Sequence, residues 1–217
     1  MEASQASAIG AQTSGFHLRQ FVSSLISAIP PTTDQVSANP LKDLPPKGKG
    51  IFLTLYALFE KEWLPALDLL DRGLIARLKP KPTSNETCSS QDHNESSCSF
   101  FLVRSAQQHN TRNASYEHVN YYEVRLDAWS CSCPAFTFSA FPASMPSSDT
   151  EDHQDEAPMH ERAGVVFGGL TLGTDMPVCK HLLACVLIEH CQMFAHFADE
   201  REVSLEEMAG WTAGWGD

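Results

Sequence analysis

Four residues whose types and spacing suit metal chemistry stand in two short pairs. Cys131 and Cys133 form a C-x-C pair, and Cys179 and His181 form a C-x-H pair after 45 intervening residues. Three thiolates and one imidazole are a ligand set of closed, four-coordinate zinc sites. The sequence therefore predicts that these four side chains bind one Zn²⁺ ion.

The spacing of each pair predicts the element that carries it. Side chains at i and i+2 of an extended segment point to the same side, so Cys131 and Cys133 can converge on one ion. Inside one helix, two ligands at that spacing would splay apart. We therefore expect Cys179 just before a helix and His181 in its first turn. Pro177 and the apolar run after His181 fit a helix over 180–197.

Two other interpretations of the cysteines stay open. Cys131 and Cys133 could be ordinary buried thiols, since a free cysteine packs as a small hydrophobic residue. They could also belong to a disulfide framework, although the chain has seven cysteines, an odd number. Residues 1–15 also lack the basic start and apolar centre of a signal peptide. The composition therefore favours zinc and predicts a soluble protein of a reducing compartment.

The net charge of −12 is unevenly distributed along the chain. Residues 142–176 carry seven acids against one base, net −6, and residues 199–217 carry six acids against one base, net −5. The remainder is nearly neutral, at net −1. Strong binding to phosphates by this chain alone is therefore not supported. No apolar stretch has the length that a membrane span requires.

The apolar pattern predicts an α+β fold, with N-terminal helices followed by a small antiparallel sheet and a zinc-stapled helical segment. The predicted regions are a flexible tail (1–15), a helical region (16–73), a zinc-finger domain (74–198) with a mobile acidic insertion (142–176), and an acidic tail (199–217). The predicted helices cover 16–29, 51–64, 65–70 and 135–141, and the predicted strands cover 74–78, 100–104 and 121–129. Gly73 is expected to cap the third helix, and Phe136, Phe138 and Phe141 are expected in a small core.

The order of these elements around the two ligand pairs resembles the SWIM-type zinc finger. The words Cys-Ser-Cys-Pro-Ala-Phe at 131–136 and Cys-Lys-His-Leu-Leu-Ala at 179–184 are similar to those of the SWIM-domain subunits of Shu complexes, which act in homologous recombination. The word Ala-Leu-Asp-Leu-Leu-Asp-Arg at 66–72 resembles the helix end before the first strand of that family. The resemblance covers roughly residues 51–191, and the long acidic insertion and the tail depart from it.

The resemblance implies a nuclear, non-enzymatic protein. Its relatives pair with paralogues of the RecA-type recombinase and promote assembly of recombinase filaments, so single-stranded DNA would be reached through the partner, without a membrane or a small-molecule substrate. Carried over by position, Cys131, Cys133, Cys179 and His181 are the zinc ligands, and Ala184 is a small position that permits close packing beside them.

Several alternatives remain open beside this expectation. The chain could be a generic protein-interaction adaptor, or the finger could bind DNA directly. The basic residues available for DNA are Arg77, Lys79, Lys81, Arg104, Arg125 and Lys180. Catalysis at the zinc is disfavoured because the sequence lacks a His-Glu-x-x-His pair, although Cys185, His190 and Cys191 stand nearby as spare ligands. Trp211 and Trp215 are expected either to fold back onto the domain or to anchor a partner.

Overall fold

The structure, a computed structural model, describes residues 18–31, 39–81, 99–106, 120–141, 167 and 176–215. Within these ranges, helices and one mixed sheet form an α+β fold, as the sequence predicts. The predicted flexible tail at 1–15 lies outside the described residues. The predicted mobility of the insertion at 142–176 also falls outside them, except at Phe167 and Met176.

Most of the described helices pack on one face of the sheet, and the C-terminal helix packs on the other. They are α1 (Leu18–Ser27), α2 (Pro46–Leu58), α3 (Glu60–Asp71), α4 (Pro134–Ala140), α5 (Lys180–His190), a 3₁₀ helix (Gln192–Phe197) and α6 (Leu205–Thr212). The strands are β1 (Ile75–Pro80), β2 (Phe100–Arg104), β3 (Tyr121–Arg125), β4 (Ser130–Cys131) and β5 (Ala198–Val203). The sheet order is β4-β3-β2-β1-β5, antiparallel throughout except for the parallel pair of β1 and β5.

The break between α2 and α3 lies at Phe59, six residues before the predicted boundary at Pro65. Phe59 leaves the helical conformation with φ −121° and ψ 38°. Pro65 instead lies inside α3. There the amide hydrogen that it lacks would bond to the carbonyl of Lys61, so the proline forfeits one bond near the start of the helix.

Gly73 ends α3 as predicted. It adopts φ +58°, and its N–H donates to the carbonyl of Leu70 at 2.9 Å, while the N–H of Leu74 donates to that of Leu69 at 3.1 Å. These two bonds define a Schellman motif, in which a residue with positive φ reverses the chain after a helix. The chain then enters β1 at Ile75, one residue after the predicted start.

The predicted strand at 121–129 is a hairpin rather than one strand. β3 ends at Arg125, a turn covers 126–129, and β4 returns so that Cys131 pairs with Val124. The alternation of apolar residues continues through the turn, so the periodicity alone does not reveal the reversal. The reversal places Cys131 on a short strand that β3 holds by backbone pairing.

The predicted long helix after Cys179 also divides. α5 ends at His190, and the 3₁₀ helix continues the chain after Cys191. Residues 181–188 of α5 are all buried, because the helix lies between the sheet and the N-terminal helices. The inward positions that the sequence predicts, Leu182, Leu183, Val186, Leu187 and Phe194, are buried in this main core.

Residues 199–217, treated as an acidic tail from the sequence, contribute to the sheet and to a second core. β5 pairs in parallel with the full length of β1. α6 follows after Ser204, whose Oγ accepts a hydrogen bond from the N–H of Glu207 at 3.1 Å. Its Met208 joins Leu78, Phe100, Leu102 and Val203 in a core separate from the main one, and Trp211 packs against it.

The aromatic residues in α4 and at its C-terminal end do not form the small core that the sequence predicts. Phe136 is partly buried against the main core, whereas Phe138 and Phe141 are 78% and 76% exposed. α4 is a two-turn helix, so only one side of it can face the sheet. The prediction for Phe138 and Phe141 is therefore wrong.

Candidate metal centre

The hairpin of β3 and β4 fixes the C-x-C pair. The N–H of Ser132 donates to the carbonyl of Glu123 at 3.0 Å, and the Oγ of Ser132 accepts from the N–H of Glu123 at 2.9 Å. Ser132 is exposed, whereas Cys131 and Cys133 are buried. The two thiols therefore turn inward from one extended segment, as their spacing predicts.

The start of α5 fixes the C-x-H pair. Cys179 is the extended N-cap residue of α5, with φ −137° and ψ 164°, and His181 lies in the first turn. The side chain of Glu62 on α3 accepts a hydrogen bond from the backbone N–H of Lys180 at 2.9 Å. This bond satisfies one of the free N–H groups at the helix start and holds the pair against α3.

The four side chains converge on one point inside the protein. Their ligand atoms all lie within 4.8 Å of one another, and each of the four residues is buried. The Sγ of Cys131 lies 3.7 Å from the Nδ1 of His181. A tetrahedral zinc ion with ordinary Zn–S and Zn–N bonds would separate two such atoms by about 3.6 Å. The donor set and its spacing therefore fit a metal ion of this kind, and the four residues can hold one.

The imidazole of His181 is enclosed on the sheet side by Tyr122 of β3. The two ring centroids are 4.7 Å apart at an interplanar angle of 33°. His181 is the one polar or charged residue among the described residues that is classed as buried. A buried imidazole needs polar partners, and the three thiols beside it supply them.

The thiols influence one another strongly. Hydrogen bonds with Cys131 and then Cys179 lower the pKa of Cys133 well below its ordinary value. The hydrogen bond with Cys133, followed by that with Cys179 and by burial, raises the pKa of Cys131. The cluster therefore favours a thiolate at Cys133, and a metal that binds all three sulfurs must displace the remaining protons.

The spare residues near the pairs lie outside this cluster. Cys185, one turn further along α5, is fully buried, and burial raises the pKa of its thiol, with a further contribution from Cys179. Cys191 is also buried, which raises its pKa to about 12. His190 lies exposed at the end of α5. Among the described residues, the metal-ligating group is formed by Cys131, Cys133, Cys179 and His181 alone.

Three of the six basic residues considered for DNA binding form ion pairs with acids of this chain. Arg77 forms ion pairs with Glu189 and Glu200, Lys79 contacts Glu200 at 2.8 Å, and Arg125 contacts Glu123. Arg104 and Lys81 are exposed, and Lys180 is half-buried. The six residues therefore do not offer a strongly positive surface.

The tail tryptophans differ from each other. The ring of Trp211 meets that of Tyr121 edge to face at 5.4 Å, so this residue folds back onto the domain. Trp215 is 84% exposed. Every helix in the part of the chain that the structure describes is too short or too polar to span a bilayer.

The spacing of the ligands and the apolar pattern do not reveal which residues support the ligands. Trp129, Pro177 and Glu62 each bind a segment that carries ligands, and Phe167 packs against Trp129. Trp129 and Pro177 each stand two residues before a different ligand pair. This position is the only feature of the sequence that could have indicated their role. Ala184, the small position that the resemblance singles out, is fully buried in α5.

Comparison with protein-family models gives no match for this chain, and comparison with curated protein sequences gives no significant match either.

Proposed function

We propose that the chain binds one zinc ion as a structural staple and acts as a protein-interaction subunit, not as an enzyme. The observation that carries this proposal is the convergence of four buried ligands, three sulfurs and one nitrogen. Four protein ligands complete a tetrahedral shell, so they leave no position for a reactive water. Zinc at this site would supply cross-linking rather than activation of a substrate.

The site is well placed to control a surface. Cys133 is a ligand and also the N-cap of α4, because its Sγ accepts a hydrogen bond from the N–H of Phe136 at 3.3 Å. Phe138 of α4 and Phe141, the residue that follows the helix as its C-cap, are large apolar side chains that are exposed. Large aromatic side chains that are exposed within three positions of each other are typical of binding surfaces. We propose that zinc fixes α4 and that α4 docks a partner protein.

The partner that we propose is a RecA-type recombinase paralogue, with which the chain would promote recombinase filament assembly in nuclear DNA repair by homologous recombination. The support for this partner is the resemblance of the words around both ligand pairs to the SWIM-type subunits of Shu complexes. Single-stranded DNA would be reached through the partner, because three of the six candidate basic residues already form ion pairs within this chain.

Metal analysis of the purified full chain tests the staple. Wild type should contain a single zinc, and Cys179→Ser should lose most of it. Cys185→Ala is the matched control, since this thiol is buried on the same helix but lies outside the cluster. Full zinc occupancy in Cys179→Ser, or loss in both variants, would contradict the assignment.

Co-purification with a co-expressed recombinase paralogue tests the docking surface. The double variant Phe138→Ala/Phe141→Ala should keep its zinc and lose the partner. Leu53→Ala is the matched control, because Leu53 is 67% exposed on α2 rather than on α4. If the double variant binds the partner as well as wild type does, α4 is not the docking element.

A further inference from the structure

The indole of Trp129 joins the two segments that carry the ligand pairs. Trp129 stands two residues before Cys131, and its Nε1–H donates a hydrogen bond to the carbonyl of Pro177 at 2.8 Å. Pro177 stands two residues before Cys179. The bond is buried and spans 48 residues of sequence. It is thus a direct polar link, made by the protein alone, between the two halves of the candidate metal centre.

The backbone of Trp129 is unusual in a way that supports a role for its side chain. Trp129 ends the turn between β3 and β4, where its N–H donates to the carbonyl of Leu126 at 3.2 Å, and it adopts φ +46°. This left-handed conformation suits glycine or asparagine, and a bulky residue in it is an outlier. Contacts of the indole must offset the backbone cost, and such outliers cluster at functional sites.

Phe167 packs against the indole of Trp129. Its ring centroid lies 4.4 Å from that of Trp129 and 5.7 Å from that of Phe59. Its backbone N–H donates to the Oγ of Ser23 on α1 at 3.4 Å, and its side chain is fully buried. Phe167 of the acidic insertion therefore lies in the main core and packs on the side chain that links the ligand pairs.

We propose that Trp129 is a positioning residue for zinc, with Phe167 keeping its indole in place. The inference rests on the zinc binding proposed above. The Trp129–Pro177 bond orders the two pairs relative to each other before the metal arrives. Because the ligand pairs are already ordered in the metal-free protein, zinc binding costs less conformational entropy. The affinity for the ion is therefore higher. Groups that orient metal ligands without touching the metal typically contribute about 10-fold to 100-fold in affinity.

The test is the zinc dissociation constant of the full chain, measured by competition with a chromophoric chelator. Trp129→Phe retains an aromatic ring but lacks the N–H, and it should raise the constant by about 10-fold. Trp63→Phe is the matched control, since Trp63 is a buried tryptophan of α3 that packs against Phe52. Its constant should equal that of wild type. The melting temperature of each metal-free variant separates general destabilisation from a specific loss of zinc.

The outcomes separate this inference from the proposed function. A wild-type chain that takes up no zinc overturns both. A wild type that binds zinc, with an unchanged constant in Trp129→Phe or an equal loss in Trp63→Phe, overturns the positioning role alone. If Trp129→Phe does not fold, Phe167→Leu replaces it. That variant leaves the N–H in place but removes the ring that packs on the indole, so it should raise the constant by less than the change of about 10-fold expected for Trp129→Phe. An unchanged constant there also refutes the inference.

Discussion

Replacing Phe167 with alanine should destabilise the protein strongly, although Phe167 lies in a segment whose composition predicts a surface loop. The side chain is 0% exposed and is enclosed by the rings of Phe59 and Trp129. Burial of a phenylalanine contributes about 1.5–3 kcal/mol, and the cavity left by its removal adds to this. We therefore expect the free energy of unfolding to fall by about 3–5 kcal/mol.

The assay is denaturant unfolding with zinc kept saturating, so that metal loss does not contribute to the difference. For a chain of this size the expected change corresponds to a melting temperature lower by about 6–20 °C. Phe138→Ala is the matched control, because it makes the same chemical change at a side chain that is 78% exposed. It should alter stability by no more than about 0.5 kcal/mol.

The result that would refute this reasoning is a loss below about 1 kcal/mol for Phe167→Ala, or equal losses in the two variants. Either outcome would mean that the ring of Phe167 does not fill a rigid space between α1, the junction of α2 with α3, and the β3–β4 turn.

Three further predictions concern other parts of the protein. Gly73→Ala should lower the free energy of unfolding by about 1 kcal/mol, because Gly73 has φ +58°, whereas Gly50→Ala in the open interior of α2 should raise it by about 0.5–1 kcal/mol in the same denaturant assay. Chelation of zinc should make Cys133 react with a thiol reagent at pH 8 before the other buried thiols, because hydrogen bonds with Cys131 and Cys179 lower its pKa, whereas burial raises the pKa of Cys185 and of Cys191, that of Cys191 to about 12. Labelling of Cys185 or Cys191 ahead of Cys133 would contradict this assignment. Glu200→Gln should lower the free energy of unfolding by well under about 1 kcal/mol at pH 7, since the ion pair of Glu200 with Lys79 is exposed. That pair lowers the pKa of Glu200, so its contribution to stability is present above pH 4.5 and is lost as the pH falls further. A stability difference between the variant and wild type that grows on acidification would contradict this prediction.

The ligand set could be predicted because its geometry is local. The i, i+2 spacing of Cys131 and Cys133 requires an extended segment, and the apolar run after His181 requires a helix. Both requirements are visible within a few residues. β2 was predicted at its observed limits for a similar reason, since a continuous apolar run ends there at a charged residue.

The elements that were missed depend on distant partners. β5 carries charges at four successive positions and becomes a strand because β1 accepts it in parallel, more than a hundred residues away in sequence. Trp129 turns the chain through a conformation that no local propensity favours, and the compensating contacts come from Pro177 and Phe167. Propensity and periodicity carry no information about either case.

The parallel pairing of β1 with β5 also constrains when the sheet can be completed during synthesis. β1 emerges from the ribosome early, but the strand that covers its outer edge is complete only once Val203 has emerged. Pairing of strands so far apart in sequence is slow, because the entropy of closing the intervening loop is lost before any stabilising contact forms. Until then β1 presents an uncovered edge beside the apolar Leu78 and Phe100, a template for wrong pairing between nascent chains. The charged residues of β5 thus give the finished sheet a border that resists such pairing.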